Sequence, residues 1–277
     1  MELSLSERIM LSTTRIVVLD SADHVLGTAT GFFFMFSYNY ITGSFIPALV
    51  TNRHVFEIGS KIAINITRKS ESGEPEVGKF DRIILPFHAV IYHPDLEIDL
   101  AVIPIGETLR SLSLENKHYA ISYLNKAYIP TLDEWNAFNA IEEVTMFGHP
   151  KGLADEVNNL PIFRKGITAT HPRYDLNGKP WFMIDVACFK GSSGSPVFLL
   201  DEGMYTDVRI NAVLPGPRFK FLGVMFAVPA IHETGKLIPV EKAITEILPD
   251  TFVYTNLGFV VKSNQLQIFD SILGDAD

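Results

Sequence analysis

A glycine-flanked serine turn is the first feature of this chain that suggests catalysis. The peptide KGSSGSPV over 190–197 places Ser193 directly before Gly194, with Gly191 two residues earlier, and leads into an apolar run. A nucleophilic hydroxyl needs a tight turn of this kind, which exposes its oxygen and lets backbone N–H groups converge on an oxyanion. Taken alone, the same peptide would equally fit a plain loop between two strands.

Two more peptides supply the groups that activate a serine. TNRHV over 51–55 ends an apolar run with His54, and DLAV over 99–102 opens another with Asp99. A histidine can take the serine proton, and a buried aspartate can hold the imidazole tautomer and stabilise the imidazolium. The order is His54, Asp99, Ser193, at separations of 45 and 94 residues. We therefore expect a catalytic cleft to which one half of the chain contributes the histidine and aspartate and the other half the serine.

The elements that must position these residues are predicted to be short strands. Phe, Val, Ile and Thr recur in runs separated by Gly, Pro and Asn, and no long βαβ alternation interrupts them. Two series of six therefore indicate an all-β fold of two small barrels or sandwiches. The predicted strands cover 15–19, 27–36, 47–55, 61–68, 82–93 and 99–105, then 144–148, 161–170, 181–189, 195–200, 219–228 and 251–261.

Helices are predicted between the two series, before the last strand and at the C-terminal end. Thr131 and Glu134 form a capping-box pattern that should start a short helix through 133–141. Pro239 suits the first turn of a helix over 240–248, and apolar residues at helical spacing predict a C-terminal helix over 263–273. We expect a single domain over 1–277, divided into an N-terminal barrel (10–110), a connection (111–141), a C-terminal barrel (142–262) and the C-terminal helix (263–273).

The chain resembles the trypsin-like serine peptidases of the chymotrypsin type, and most of all the bacterial HtrA/Deg-like protease domains. The resemblance spans residues 10–273 and implies two six-stranded antiparallel β-barrels with a C-terminal helix. NRHV, DLAV and GSSGSP in this order are its most specific motifs. The matching segments are TGFFF (30–34), LVTNRHV (49–55), DLAVIPI (99–105), GHPKGL (148–153), RKGITAT (164–170), IDVACFKGSSGSPVF (184–198) and LGFVVKSNQL (257–266).

The resemblance implies a role for each member of the constellation. His54 would be the general base, Asp99 the group that orients it and Ser193 the nucleophile, while the amides of Gly191 and Ser193 would form the oxyanion hole. Secreted digestive relatives carry an aspartate in the slot of Ser192, which pairs with a newly cut N-terminal amine. Because a serine stands there in this chain, we expect no activation by zymogen cleavage. No PDZ domain is expected beyond the peptidase domain.

Substrate preference is predicted from the residues just before the turn. Ala187, Cys188 and Phe189 fall where the family builds its S1 pocket. No aspartate lies in this stretch to attract a basic side chain, so an apolar P1 residue is expected. Cys188 is the only cysteine and is expected to be a small buried side chain.

Composition and charge limit the binding partners and the cellular compartment that can be expected for this chain. The chain has 277 residues, is 47% hydrophobic and carries a formal net charge of −9, so nucleic acid and anionic membranes are not expected partners. With one cysteine, no apolar stretch long enough to span a membrane and no signal-peptide pattern, a cytoplasmic location is expected. No cluster of His, Cys and Asp has metal-ligand spacing, so neither a metal nor another cofactor is predicted.

Three functions remain open at this stage. The first is a serine endopeptidase acting on protein or peptide substrates, with a role in bacterial stress or defence. The second is a catalytically silent module that binds peptides at a strand edge. The third is an enzyme that stays latent until a regulatory partner or homo-oligomerisation orders its oxyanion loop.

Overall fold

The computed structural model describes residues 3–150, 155–189, 191–207, 210–233, 251–254 and 256–274. In its N-terminal half, short 3-10 helices cover Arg53–Phe56, Phe87–Ala89 and Lys126–Tyr128. The other elements of this half are α1 (Leu5–Met10), β1 (Thr13–Leu19), β2 (Val25–Phe36), β3 (Ile46–Thr51), β4 (Lys61–Lys69), β5 (Pro75–Pro86), β6 (Ile91–Tyr92), β7 (Ala101–Pro104), α2 (Gly106–Leu114), β8 (Leu124–Asn125) and α3 (Leu132–Ala137).

The C-terminal half is also dominated by strands. Its last strand leads into a 3-10 helix over Ser263–Gln267 and a short α-helix. The elements are β9 (Glu143–Gly148), β10 (Ile162–Thr168), β11 (Trp181–Asp185), β12 (Pro196–Asp201), β13 (Met204–Asp207), β14 (Ala212–Pro215), β15 (Arg218–Ala227), β16 (Ala230–Glu233), β17 (Thr251–Tyr254), β18 (Leu257–Lys262) and α4 (Ile268–Leu273).

The strands form two units in sequence order. The N-terminal unit is a sheet in the order β5-β4-β1-β2-β3-β7-β6, with β8 added in parallel to β2. The C-terminal unit is a closed barrel in the order β10-β11-β18-β15-β12-β9. Two separate hairpins, β13–β14 and β16–β17, complete the described strands. The predicted all-β double-barrel fold class and the C-terminal helix are confirmed.

Consecutive phenylalanines of β2 pack into different cores. Successive side chains of a strand point to opposite faces, so Phe33 packs into the core of the N-terminal sheet. Phe32 and Phe34 enter a cluster that also contains Phe198 and Phe221 of the C-terminal barrel. The rings of Phe32 and Phe221 meet edge to face with centroids 5.3 Å apart. Strand β2 is therefore fixed between the two units.

The N-terminal unit departs from the prediction in its strand count. Eight strands replace the six expected, because the run over 82–93 divides into β5 and β6 and because the connection contributes β8. Strand β3 ends at Thr51 rather than at 55, and a 3-10 helix follows it. The capping box at Thr131 and Glu134 forms as predicted, although α3 ends already at Ala137. The helix predicted over 240–248 lies outside the described residues.

Candidate active site

His54 and Asp99 come together because their strands are neighbours. Strands β3 and β7 pair antiparallel, with Thr51 opposite Ala101. His54 follows the end of β3 and Asp99 precedes the start of β7, so both lie at the same edge of the sheet. The Nδ1 of His54 is 2.6 Å from Oδ2 of Asp99. The backbone N–H of His54 also donates to Oδ1 of the same carboxylate at 3.0 Å.

The backbone around this pair is fixed by two hydrogen bonds from neighbouring side chains. Asn52 has no solvent exposure, and its Nδ2 donates to the Asp99 carbonyl at 2.8 Å. Arg53 donates through Nη2 to the carbonyl of His93 at 2.6 Å. These contacts tie the turn after β3 to the loop before β7, which leaves the imidazole and carboxylate little freedom to separate.

The protonation of His54 is governed by two opposing effects. Burial alone would lower the pKa of His54, but the hydrogen bond and negative charge of Asp99, aided by Glu57, outweigh it and raise the pKa above 6.5. The raised pKa fits a group that accepts a proton during the reaction and is stabilised as imidazolium.

Residues 191–195 form the turn that carries Ser193, called the serine turn below. Gly191 and Gly194 both have positive φ, +90° and +83°. At Gly194 a side chain is also excluded by space, because a Cβ would collide with the Thr30 carbonyl and the Thr51 hydroxyl. This contact brings the serine turn against the end of β3, three residues before His54.

Backbone hydrogen bonds in the serine turn leave two amides free. The N–H of Ser192 donates to the Phe189 carbonyl at 3.0 Å, and the N–H of Gly194 donates to the Met225 carbonyl at 2.8 Å. The N–H groups of Gly191 and Ser193 find no acceptor among the described residues. These two are the amides assigned to the oxyanion hole from the sequence.

Thr30 of β2 links the serine turn to the N-terminal sheet. Its backbone N–H donates to the Ser193 carbonyl at 2.8 Å, and its hydroxyl donates to the Gly191 carbonyl at 3.0 Å. The Thr30 hydroxyl also accepts from the N–H of His149 at 2.8 Å, and its carbonyl accepts from the hydroxyl of Thr51 at 2.8 Å. Thr30 therefore attaches the serine turn, at Gly191 and at Ser193, to the sheet that carries the His54–Asp99 pair.

The structure brings His54 and Asp99 into direct contact, but it does not join them to Ser193 by a hydrogen bond. Within the described part of the chain, the imidazole of His54 bonds only to Asp99. Such hydrogen bonds are often long in the absence of substrate and tighten in the complex.

The residues predicted for the S1 pocket differ in exposure. Cys188 is fully buried in the core of the C-terminal barrel, where burial raises the pKa of its thiol to about 11. Its expected role as a small buried side chain therefore fits the structure. Phe189 is exposed and Ala187 is half-buried. The assignment of Ala187, Cys188 and Phe189 to S1 stays a prediction.

Three residues near the serine turn were not singled out from the sequence. Thr30 and Arg164 each begin a segment that resembles the family, TGFFF and RKGITAT, which is the only signal that could have found them. His149 is buried beside Thr30, and burial together with the charges of Arg15 and Arg164 lowers its pKa to about 3. The lowered pKa favours the neutral form of this imidazole at physiological pH.

The family is established by comparison with family models. The model of the trypsin-like peptidase domain matches residues 29–204, more than half of the chain. The match includes His54, Asp99 and the whole serine turn. The chain therefore belongs to the trypsin-like peptidase domain family. The nearer likeness to HtrA/Deg-like domains stays a prediction.

Several solved protease structures are similar to the chain. The active form of the Rv3671c protease from M. tuberculosis is 16% identical, with 97% of this chain and 83% of that chain covered and a TM-score of 0.46. The apo MamO protease domain from Magnetospirillum magneticum is 14% identical, with 98% and 100% covered and a TM-score of 0.45. A mutant tobacco etch virus protease is 9% identical, with 100% and 83% covered and a TM-score of 0.49. Similarities this low carry no argument about activity.

The remaining comparisons and searches are negative. No curated protein is significantly similar in sequence to the chain. Over the described ranges, no helix has the length and hydropathy of a membrane span. In the same part of the chain, no group of three or more His, Cys, Asp or Glu side chains is placed to hold a metal ion.

Proposed function

We propose that this member of the trypsin-like peptidase family is a serine endopeptidase that uses His54, Asp99 and Ser193. The observation that carries the proposal is the double contact of His54 with Asp99, through the ring and through the backbone N–H. The serine turn, which packs against Thr30 and Thr51 and has two amides without an acceptor among the described residues, supports it.

The proposed reaction starts with attack of the Ser193 oxygen on the scissile carbonyl. The serine proton passes to Nε2 of His54, while Asp99 accepts the Nδ1–H and stabilises the imidazolium. The amides of Gly191 and Ser193 donate to the oxyanion of the tetrahedral intermediate. The C–N bond then breaks as His54 returns its proton to the leaving amine. Water, deprotonated by the same imidazole, hydrolyses the acyl-enzyme and releases Ser193.

The substrate is proposed to be a protein or peptide with an apolar P1 residue. Among the described residues of the S1 segment, only Ala187 and Phe189 expose surface, and neither is charged. A peptide library profiled by mass spectrometry should show cleavage after apolar residues. Dominance of Arg or Lys at P1 would overturn this part of the proposal.

Hydrolysis of an internally quenched, denatured protein substrate tests the proposed activity. Ser193→Ala should lower turnover by on the order of 10⁴–10⁶-fold if the three residues act as a unit. Retained proteolysis in this variant would refute the assignment. The protein is expected to be active without removal of an N-terminal segment, so activity confined to an N-terminally trimmed form would contradict the absence of zymogen cleavage.

A latent enzyme or a silent peptide-binding module is the second candidate. The observation that favours it is the missing hydrogen bond between Ser193 and His54 in the described structure. Peptide binding without turnover in both the wild type and Ser193→Ala would support this alternative. Gating by a regulatory partner or by self-association, and a role in bacterial stress or defence, stay predictions that rest on the sequence.

A further inference from the structure

Arg164 points into the C-terminal barrel although it is charged. On β10 its neighbours Phe163 and Lys165 are exposed, whereas Arg164 is half-buried and directs its guanidinium inward. Its Nε and Nη2 atoms have almost no exposed surface. Burying a charge without an opposite charge is unfavourable, so other contacts must stabilise the guanidinium in this position.

The guanidinium contacts both the serine turn and the segment that precedes it. Its Nη1 donates to the Ser192 hydroxyl at 2.9 Å and to the Ala187 carbonyl at 2.8 Å. The Ser192 oxygen also accepts from the N–H of Phe189 at 3.3 Å. Ser192 is fully buried. Arg164 therefore sits at the centre of a small network that fixes Ser192, which lies between the two oxyanion amides, and Ala187, which precedes them.

The guanidinium is held by neutral acceptors in the part of the chain that the structure describes. Within the described ranges, Arg164 forms no ion pair, and burial lowers its pKa from the usual value. Arginine nevertheless stays charged in proteins. The Ser192 that it contacts lies directly between Gly191 and Ser193, so a positive charge is placed next to the amides that would receive the oxyanion.

We infer that Arg164 is a positioning residue for the proposed peptidase: it holds Ser192 and Ala187 so that the Gly191 and Ser193 amides face the reacting carbonyl. The inference rests on the proposed function and adds an internal anchor to it. Arg164 acts through the serine turn and does not touch the substrate.

The position of Arg164 is tightly enclosed. A Cβ at Gly148 would lie 3.2 Å from Nη2 of Arg164, and it would collide with the Ser195 hydroxyl. The guanidinium thus fills a site bounded by Gly148 on one side and the serine turn on the other. An unbranched apolar side chain of similar length can occupy this space, whereas a short one would leave a cavity.

Replacement by methionine separates positioning from a merely structural role. Arg164→Met removes a buried charge that has no opposite charge among the described residues, which is favourable, but it also leaves the Ala187 carbonyl without this donor, which is unfavourable. Because these two effects oppose each other, Arg164→Met should change Tm little, and yet it should slow the reaction of Ser193 with a fluorophosphonate by about 10–100-fold, which is less than the roughly 100–1000-fold loss when an oxyanion donor is removed outright. Arg164→Lys, which retains a positive charge and donors, should recover part of the rate. The matched control is Lys165→Met on the outer face of β10, where the lysine pairs with Glu143 at the surface at 2.6 Å.

The experiment measures the second-order labelling rate, its pH midpoint and Tm for the full chain and each variant. The inference is supported if Arg164→Met loses rate at unchanged pH midpoint and unchanged or higher Tm while Lys165→Met matches the wild type. It is overturned if Arg164→Met labels within twofold of the wild type. It is also overturned if rate and Tm fall together and lysine restores neither. Failure of the proposed function is distinct, because the wild type itself would then take no label that depends on Ser193.

Discussion

Asp99 holds His54 at two points, accepting from the imidazole with one carboxylate oxygen and from the backbone N–H with the other. The second contact fixes the main chain, so the ring cannot swing away without breaking a charge-assisted hydrogen bond. The side chains are 39% and 20% exposed, which leaves the outer edge of the ring accessible for proton transfer.

Replacing this carboxylate should disable the site. Asp99→Asn is expected to lower the rates of labelling and peptide hydrolysis by about 10³–10⁴-fold, because an amide stabilises the wrong imidazole tautomer and does not stabilise the imidazolium. The rates are compared on the high-pH plateau, where His54 is neutral. The control is Glu97→Gln, because Glu97 lies in the same loop as Asp99 but forms an exposed ion pair with Lys179. A loss of less than tenfold would contradict the role of Asp99.

The pH dependence of the reaction should report His54. Its pKa is raised above 6.5, and only the neutral imidazole can accept the serine proton. Labelling should therefore be lost as pH falls, with a midpoint above 6.5. In Asp99→Asn the residual rate should show a lower midpoint, since the charge that raises the pKa is removed. A wild-type midpoint below that of the variant would contradict this.

Protonation of His54 stops the reaction but stabilises the fold. Because the pKa of His54 is higher in the folded protein than in the unfolded chain, this stabilisation is fully present below the unfolded pKa and is lost as pH rises through the folded pKa. His149, with its pKa lowered to about 3, acts the other way: its contribution is lost as pH falls below 6.5. In His149→Gln, the free energy of unfolding, measured by urea denaturation, should therefore decrease less as pH falls below 6.5 than it does in the wild type. An equal decrease in the two proteins would contradict the lowered pKa of His149.

Gly194 should tolerate no side chain, unlike another glycine of similar backbone conformation. Gly178 has φ +75° and open space around a Cβ, whereas Gly194 has φ +83° and no space. Gly178→Ala should cost only the ~1–2 kcal/mol of a left-handed conformation and leave labelling unchanged. Gly194→Ala should cost about 1–3 kcal/mol more through overpacking and abolish labelling. Equal losses of unfolding free energy in the two variants would refute the close approach to Thr30.

The Thr30 hydroxyl should matter for both stability and reaction. Thr30→Val leaves the Gly191 carbonyl and the His149 amide without this partner, which is expected to cost about 1–3 kcal/mol and to slow labelling. Thr30→Ser should retain most of both. Thr28→Val is the matched control, because Thr28 lies on the same face of β2 and its buried hydroxyl has no partner among the described residues. Labelling unaffected by Thr30→Val would contradict the link between the sheet and the serine turn.

Much of the fold could be predicted because strand positions follow from local patterns. The runs around Phe32 and Phe147 are apolar and bounded by turn residues, so β2 and β9 lie close to their predicted positions. The end of β3 could not be predicted, since RHVF continues the apolar run but forms a 3-10 helix. Its conformation is determined by long-range contacts to Asp99, which a local pattern does not contain.

The site residues divide in the same way. His54, Asp99 and Ser193 were singled out because their types and order suit nucleophilic catalysis. Thr30 and Arg164 were not, because a threonine and an arginine in strands are ordinary residues until the fold brings them to the serine turn. Arg164 also lies in a predicted strand, and the inward direction of its side chain could be found only from the structure.

The most direct test of the account is fluorophosphonate labelling of the full chain, read by intact mass and by mapping of the labelled peptide. Three serines lie within four residues, so Ser193→Ala is compared with Ser195→Ala, whose buried hydroxyl has no partner among the described residues. The account predicts one adduct, located on Ser193, lost in Ser193→Ala and retained in Ser195→Ala. A wild-type chain that takes no adduct, or an adduct that persists in Ser193→Ala, would contradict it.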